Sequence, residues 1–228
     1  MILAAGRGER MRPLTDTLPK PLLPVDGKPL IVHHLERLAS VGITDVVINH
    51  AWLGEKLEEE LGDGSQYDVA IQYSPEGTAL ETAGGIANAL PLLGDQPFLV
   101  INGDVWCDWN PMQAVSVVNR LHDSPSQAWL LMVDNPAHHP EGDFHLDSKG
   151  YLSPRQPGKP ALTYAGIGVY HPSLFRNIEA GQPVPLAPLL KLAMENRSIE
   201  GFHYTGRWTD VGTPERLAEL DEQLRSAG

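Results

Sequence analysis

The sequence predicts an α/β fold, a largely parallel sheet covered by helices on both faces, and three observations carry the prediction. Short apolar runs alternate with stretches whose apolar positions recur at helical spacing, which is how parallel strands joined by helical crossovers read. Glycines and other turn residues punctuate the runs. The segments with the most chemical character, a glycine-rich loop after Leu3 and an Asn-Gly-Asp after Ile101, each stand directly behind an apolar run. Open α/β sheets gather their ligands beyond such strand ends.

In chain order, Ile2 and Leu3 end a first strand that looks clipped at its beginning, so a residue or two upstream is expected. Leu30, Ile31, His34, Leu35, Leu38 and Val41 recur at helical spacing, and Gly42 suits the position just past that helix. Asp45–Asn49 reads as a buried strand, 53–61 as a short helix stopped by Gly62, 69–73 as a strand, 82–90 as a helix and 98–101 as another apolar strand. Beyond residue 135 the pattern loosens into proline- and glycine-rich segments with short strands near 144–147, 164–170 and 199–204, which suits a small β-rich flank on a rigid sheet. Residues 186–194 and 214–224 read as helices, the second with Thr213 as N-cap and Pro214 in its first turn. One domain over 1–228 is expected, with a core over 1–134 and a flank with the C-terminal part over 135–228.

The 228 residues can bury one substantial core, and 42% hydrophobic content reads as globular. A net charge of −12 argues against a nucleic-acid groove or an anionic membrane surface, so the few cations should matter locally. Cys107 is the single cysteine, which excludes an intrachain disulfide and fits a reducing cytoplasm. No apolar run approaches the ~20 residues of a membrane-crossing helix.

The opening stretch LAAGRGERMRPLTDTLPKPLLPV carries the chemistry. Gly6 and Gly8 can turn their amides inward to wrap a polyphosphate, and Arg10 and Lys20 add fixed positive charge. The loop is neither a dinucleotide G-x-G-x-x-G, since Met11 stands at the third position, nor a Walker loop, since no G-K-[ST] follows. Asp104 is delivered to the sheet edge by the strand before it, with Gly103 allowing a sharp turn; alone it reads equally as a turn former or helix cap. Asp210, in Trp-Thr-Asp-Val-Gly-Thr, supplies a second carboxylate, and two carboxylates can clamp a Mg²⁺ that keeps waters and binds phosphate oxygens. His33-His34 and His138-His139 do not make two-ligand metal sites, because neighbours in sequence diverge on a helix or strand. His33 and His34 are read as partly buried, and Trp52, Trp106, Trp109 and Trp129 as packing.

The combination G-x-G-x-R with P-K-P-L-L-P-V, followed by N-G-D at 102–104, Y-A-G-I at 164–167 and W-T-D-V-G-T at 208–213, resembles the signature of sugar-1-phosphate nucleotidyltransferases over nearly the whole chain. The resemblance implies a Rossmann-like, GT-A-like sheet with a sugar-binding flank, an enzyme, and Mg²⁺ held by Asp104 and Asp210. It implies that a sugar phosphate attacks the α-phosphorus of a nucleoside triphosphate, with Arg10 on the β- and γ-phosphates and Lys20 between the reacting phosphates. The nucleotide is expected against Ala4, Ala5, Gly6, Gly8, Glu9, Arg10, Lys20, Glu81 and Asn102. Glu81 either reads a base edge or caps the helix beside it, and Asn102 reads either as a ligand contact or as structural. The family's Glu-Lys-Pro sugar motif is absent, so no role passes to Lys159; Asp143 and Gly166 are the expected substitutes, read alternatively as a loop Asp and a strand bulge.

INHAWLG, YSPEG, LETAGGI and NGDVW are similar to stretches of the compact uridylyltransferase members of peptidoglycan recycling, which implies UTP and N-acetylmuramic acid 1-phosphate as substrates. Another sugar with dTTP, GTP or CTP, as in mannose-1-phosphate guanylyltransferases, and a noncatalytic nucleotide-sugar sensor are the alternatives. These 228 residues hold no hexapeptide repeat of an attached acetyltransferase, so no acyl-transfer activity is expected. The lactyl carboxylate of the sugar is expected to be accommodated by space more than by a dedicated ion pair. No nucleic-acid or membrane partner is expected, and the chain is expected to be a monomer or a small homo-oligomer.

Overall fold

The computed structural model describes residues 1–226, so the last two positions of the expected 1–228 unit lie outside the described residues. The alternating half runs β1 (Ile2–Leu3), a ribbon of β2 (Pro24–Val25) and β3 (Lys28–Pro29), α1 (Leu30–Ser40), β4 (Asp45–His50), α2 (Gly54–Leu61), β5 (Ala70–Pro75), α3 (Glu81–Leu93) and β6 (Phe98–Asn102). Three elements absent from the sequence reading follow: β7 (Val105–Cys107), α4 (Met112–His122) and β8 (Ala128–Val133). The second half adds β9 (Phe144–Leu146), β10 (Leu152–Pro154), β11 (Thr163–Tyr170), α5 (Leu186–Glu195), β12 (Ile199–Tyr204), β13 (Trp208–Asp210) and α6 (Pro214–Arg225).

Seven strands form the central sheet in the order β12-β8-β11-β6-β1-β4-β5. The β1, β4, β5 and β6 strands run parallel, as do β8 and β12, while β11 is antiparallel to both its neighbours. The alternation of side chains across the sheet sorts the core into two layers. One packs Ile2, Ile48, Leu99 and Leu131 against α1, α2 and α4; the other packs Val47, Val100, Leu130 and Met132 against α3 and α5. A third, smaller core joins Met11, Leu23 and Val25 of the N-terminal segment to Trp106 of β7 and to Val211 and Leu217 of the C-terminal segment. Burying each of its larger side chains contributes ~1.5–3 kcal/mol, which welds α6 to the underside of the glycine-rich loop.

Helix ends follow the local chemistry. Thr213 caps α6 by accepting the N–H of Arg216 at 3.4 Å, with Pro214 in the first turn, as the sequence predicts. The start of α3 is capped differently: the backbone carbonyl of Val184, in the proline-rich segment before α5, accepts the N–H groups of Ala83 and Gly84 at 2.9 and 3.1 Å. His33 and His34 are held by carbonyls of Val25 and Val105. Burial pushes the His34 imidazole down to about 4, so it packs in the neutral form.

Candidate active site

The floor of the site is made where β1 and β6 end side by side. The N–H of Gly103 donates to the carbonyl of Leu3 at 2.8 Å, and a Cβ at residue 103 would lie 2.7 Å from that oxygen. The glycine is therefore required by close approach where the chain turns sharply from β6 toward β7. The next residue, Asp104, is thereby set at the carboxyl edge of the sheet. The β7–β13 ribbon brings the second carboxylate to it: Asp210 pairs with Val105, and the N–H of Val211 donates to the carbonyl of Asp104 at 2.8 Å. Two aspartates more than a hundred positions apart are thus brought together by three residues of antiparallel ladder.

Beyond β1 the chain folds back on itself. Gly8 adopts φ 67° and its carbonyl accepts the N–H of Met11 and the hydroxyl of Thr15, while Gly6 uses no such freedom. Trp52, expected only to pack, also pins this loop: its indole N–H donates to the carbonyl of Thr15 at 3.0 Å and its ring lies 4.4 Å under the Arg7 guanidinium. Lys20 is carried on a tight turn after Pro19, is only 7% exposed, and donates from Nζ to Asp104 Oδ2 at 2.5 Å. A buried ammonium needs such a partner, because unpaired burial of a charge is costly.

A cavity of about 530 Å³ opens over this floor, and every residue assigned from the sequence to the nucleotide, from Ala4 through Glu81 to Asn102, borders it. Glu81, the first residue of α3, takes φ 60°. No side-chain hydrogen bond caps the start of α3, and Glu81 borders the cavity. A second cavity of about 360 Å³ shares Arg10, Asn102 and Asp104 with the first and adds His138, His139, Gly166, Trp208 and Asp210. Gly166 has φ 73° within a register shift of β11, and a Cβ there would lie 2.7 Å from the Asn102 amide nitrogen. The bulge thus seats Asn102 between the two cavities. Asp143 stands behind the wall: its Oδ2 accepts the N–H of Tyr164 at 2.8 Å, and its Oδ1 lies 3.1 Å from His139 Nε2.

Asn49 and Arg216, missed in the sequence, complete the site together with Glu76 and His138. Asn49 is buried, accepts the N–H of Ala4 at 3.0 Å and donates to Glu76 Oε1 at 2.6 Å; the other oxygen of Glu76 accepts the N–H of Leu80 at 2.8 Å. Arg216, on the first turn of α6, pairs with Asp210 Oδ1, and His138 Nε2 lies 3.2 Å from the same oxygen. The signal for Asn49 was present as a polar residue ending an apolar strand. Nothing in the spacing announces Arg216, whose reach depends on where α6 docks.

The donor set suits a hard divalent cation. Asp104 Oδ1 and Asp210 Oδ2 have no protein hydrogen bond among the described residues, and the two carboxylates are 42% and 29% exposed on one cavity wall. No group of three or more His, Cys, Asp or Glu is arranged for a metal among the described residues. Two oxygen ligands that leave the remaining positions to water and phosphate are what Mg²⁺ takes at phosphate sites. The same wall with Arg10 and Lys20 can neutralise and align two phosphates.

Comparison with known proteins agrees with this geometry. A model of the nucleotidyl transferase family matches residues 1–227. The chain is 56% identical over 220 residues to the N-acetylmuramate alpha-1-phosphate uridylyltransferase of Neisseria meningitidis serogroup B, covering 96% of this chain and 95% of that one. It is 34% identical over 236 residues to the protein of the same name from Caulobacter vibrioides, covering 100% of this chain and 97% of that one. Among solved structures, a proposed glucose-1-phosphate thymidylyltransferase from Bacillus anthracis superposes with a TM-score of 0.86 at 21% identity, over 98% of this chain and 94% of that one. That likeness speaks for the fold alone.

Proposed function

The chain belongs to the nucleotidyl transferase family, and from that premise we propose that it joins UTP and N-acetylmuramic acid 1-phosphate into UDP-N-acetylmuramic acid, releasing pyrophosphate, in the recycling of cell-wall sugars. The likeness to the Neisseria enzyme along almost the whole of both chains carries this choice of substrates. No helix among the described residues is long and apolar enough to cross a membrane, and we place the reaction in the cytoplasm.

In this reading residues 1–134 hold the nucleotide, 135–228 close over the sugar, and the whole is one domain. The backbone of Ala4 to Gly6, fixed by Asn49, supports the base, with Glu81 at its edge. The amides of the glycine-rich loop and the forked guanidinium of Arg10 grip the β- and γ-phosphates and stabilise the departing pyrophosphate. Lys20 sits between the α-phosphate and the incoming sugar phosphate, where a compact charge offsets the repulsion of two anions. Asp104 and Asp210 hold Mg²⁺, which when bound neutralises and orients the phosphates. Neither cation transfers a proton: a sugar phosphate is already a competent nucleophile at neutral pH, so no Ser-His or Cys-His pair is needed.

The reaction type is tested with UTP labelled at the α- or the γ-phosphorus. The α-label should enter the sugar nucleotide and the γ-label should leave in pyrophosphate. Release of the γ-label as orthophosphate would mean that a different phosphorus is attacked.

A further inference from the structure

The sequence leads one to expect that the lactyl carboxylate of the sugar is accepted by space alone. The second cavity points elsewhere. Of its lining residues only Arg10, His138 and His139 can carry positive charge. Arg10 also borders the nucleotide cavity, where a triphosphate claims it. His138 is taken up as well, with Nε2 3.2 Å from Asp210 Oδ1 and 2.7 Å from Arg216 Nη1.

His139 is different. Its Nε2 lies 3.1 Å from Asp143 Oδ1, its Nδ1 has no protein partner among the described residues, and its side chain is 40% exposed. Asp143 is itself fixed at both ends: Oδ2 accepts the N–H of Tyr164 at 2.8 Å, and its own N–H donates to the carbonyl of Leu162 at 2.8 Å. A carboxylate seated in this way fixes the orientation of the imidazole it faces. With both nitrogens protonated, the ring donates one N–H to Asp143 and keeps the other for a second anion. A cavity of about 360 Å³ is within the range of small-molecule sites.

We propose that His139, positioned by Asp143, recognises the carboxylate of the lactyl ether and thereby separates N-acetylmuramic acid 1-phosphate from its carboxylate-free counterpart, N-acetylglucosamine 1-phosphate. Asp143 is then a positioning residue, not the direct sugar contact expected from the sequence. The inference rests on the substrate reading above.

The test measures kcat/KM for both sugar phosphates at saturating UTP in the wild type, His139→Ala, Asp143→Asn and the double variant. The ratio of the two sugars within one preparation is insensitive to the fraction of protein that is folded. His139→Ala should lower the ratio by about tenfold or more, through KM for the carboxylate-bearing sugar, as one charge-assisted hydrogen bond is lost. Asp143→Asn should lower it less, and the double variant no further than His139→Ala. A ratio in His139→Ala within about twofold of the wild type, equal losses on both sugars, or additive losses in the double variant would overturn the inference. A wild type that does not use N-acetylmuramic acid 1-phosphate would overturn the substrate reading itself.

Discussion

Replacing Asn49 by Asp probes the joint on which the nucleotide cavity hangs. Asn49 is 2% exposed and ties the N–H of Ala4 to Glu76 Oε1, at 3.0 and 2.6 Å, while Glu76 holds the N–H of Leu80 at the start of α3. Asn49→Asp keeps the size of the side chain and the acceptor for Ala4, but presents an oxygen to Glu76 where an N–H had been. The lost bond to a charged acceptor costs ~1.5–3 kcal/mol. Two ionised carboxylates about 4 Å apart would repel by ~4 kcal/mol at an effective dielectric constant of about 20, so the pair instead shares a proton. The net loss should be ~3 kcal/mol at neutral pH, or about 6–12 °C in Tm for a chain of this size.

The sign of the pH dependence follows from the raised pKa of that pair. The folded state binds a proton that the unfolded chain releases near pH 4, so the variant approaches wild-type stability at low pH and falls behind as pH rises through the raised value. Urea unfolding of both proteins at pH 5 and pH 8 measures this, with Asn49→Ala as the control that loses the bond without adding a charge. A loss under ~1 kcal/mol at pH 8, or a loss independent of pH, would refute the assignment of this network.

Asp104→Asn and Asp210→Asn should each lower turnover by at least about a hundredfold while the fold survives; full activity in Asp210→Asn, or undiminished turnover in excess chelator, would remove the proposed metal clamp. Lys20→Ala should depress turnover and weaken use of the sugar phosphate, whereas Arg10→Ala should mainly weaken triphosphate and pyrophosphate handling; steady-state kinetics in both directions that show identical defects would refute this division. His34 is held near a pKa of 4 against about 6.5 when unfolded, so its contribution is intact above pH 6.5 and is lost as pH falls toward 4. His34→Gln should flatten the acid side of the stability profile by up to ~3 kcal/mol, and an unchanged slope would contradict neutral burial.

What was legible in the sequence was legible for local reasons. Strands that end in chemistry announce themselves, as Phe98–Asn102 does before Gly103 and Asp104. The α4 helix, MQAVSVVNRLH, and the β8 strand, AWLLMV, were not visible because β-branched residues and an unbroken apolar run fit helix and strand about equally well. The β13 strand is too short for any periodicity, yet its ladder to β7 turns two weak aspartate signals into one site. Asp143 stands out in the sequence beside Gly142, but its contacts with Tyr164 and His139 are supplied only by the folded chain. Glu81 reads either way in the sequence because an acidic residue is favourable at a helix start whether or not it also meets a ligand.

The central claim is that these two cavities join a uridine nucleotide to an N-acetylmuramic acid phosphate. The direct measurement is pyrophosphate release with the 1-phosphates of N-acetylmuramic acid, N-acetylglucosamine, glucose and mannose, each offered with UTP, dTTP, GTP and CTP. The account predicts that UTP with N-acetylmuramic acid 1-phosphate has the highest kcat/KM of the panel. A wide margin in favour of GTP with mannose 1-phosphate would contradict it while leaving the family and the fold in place.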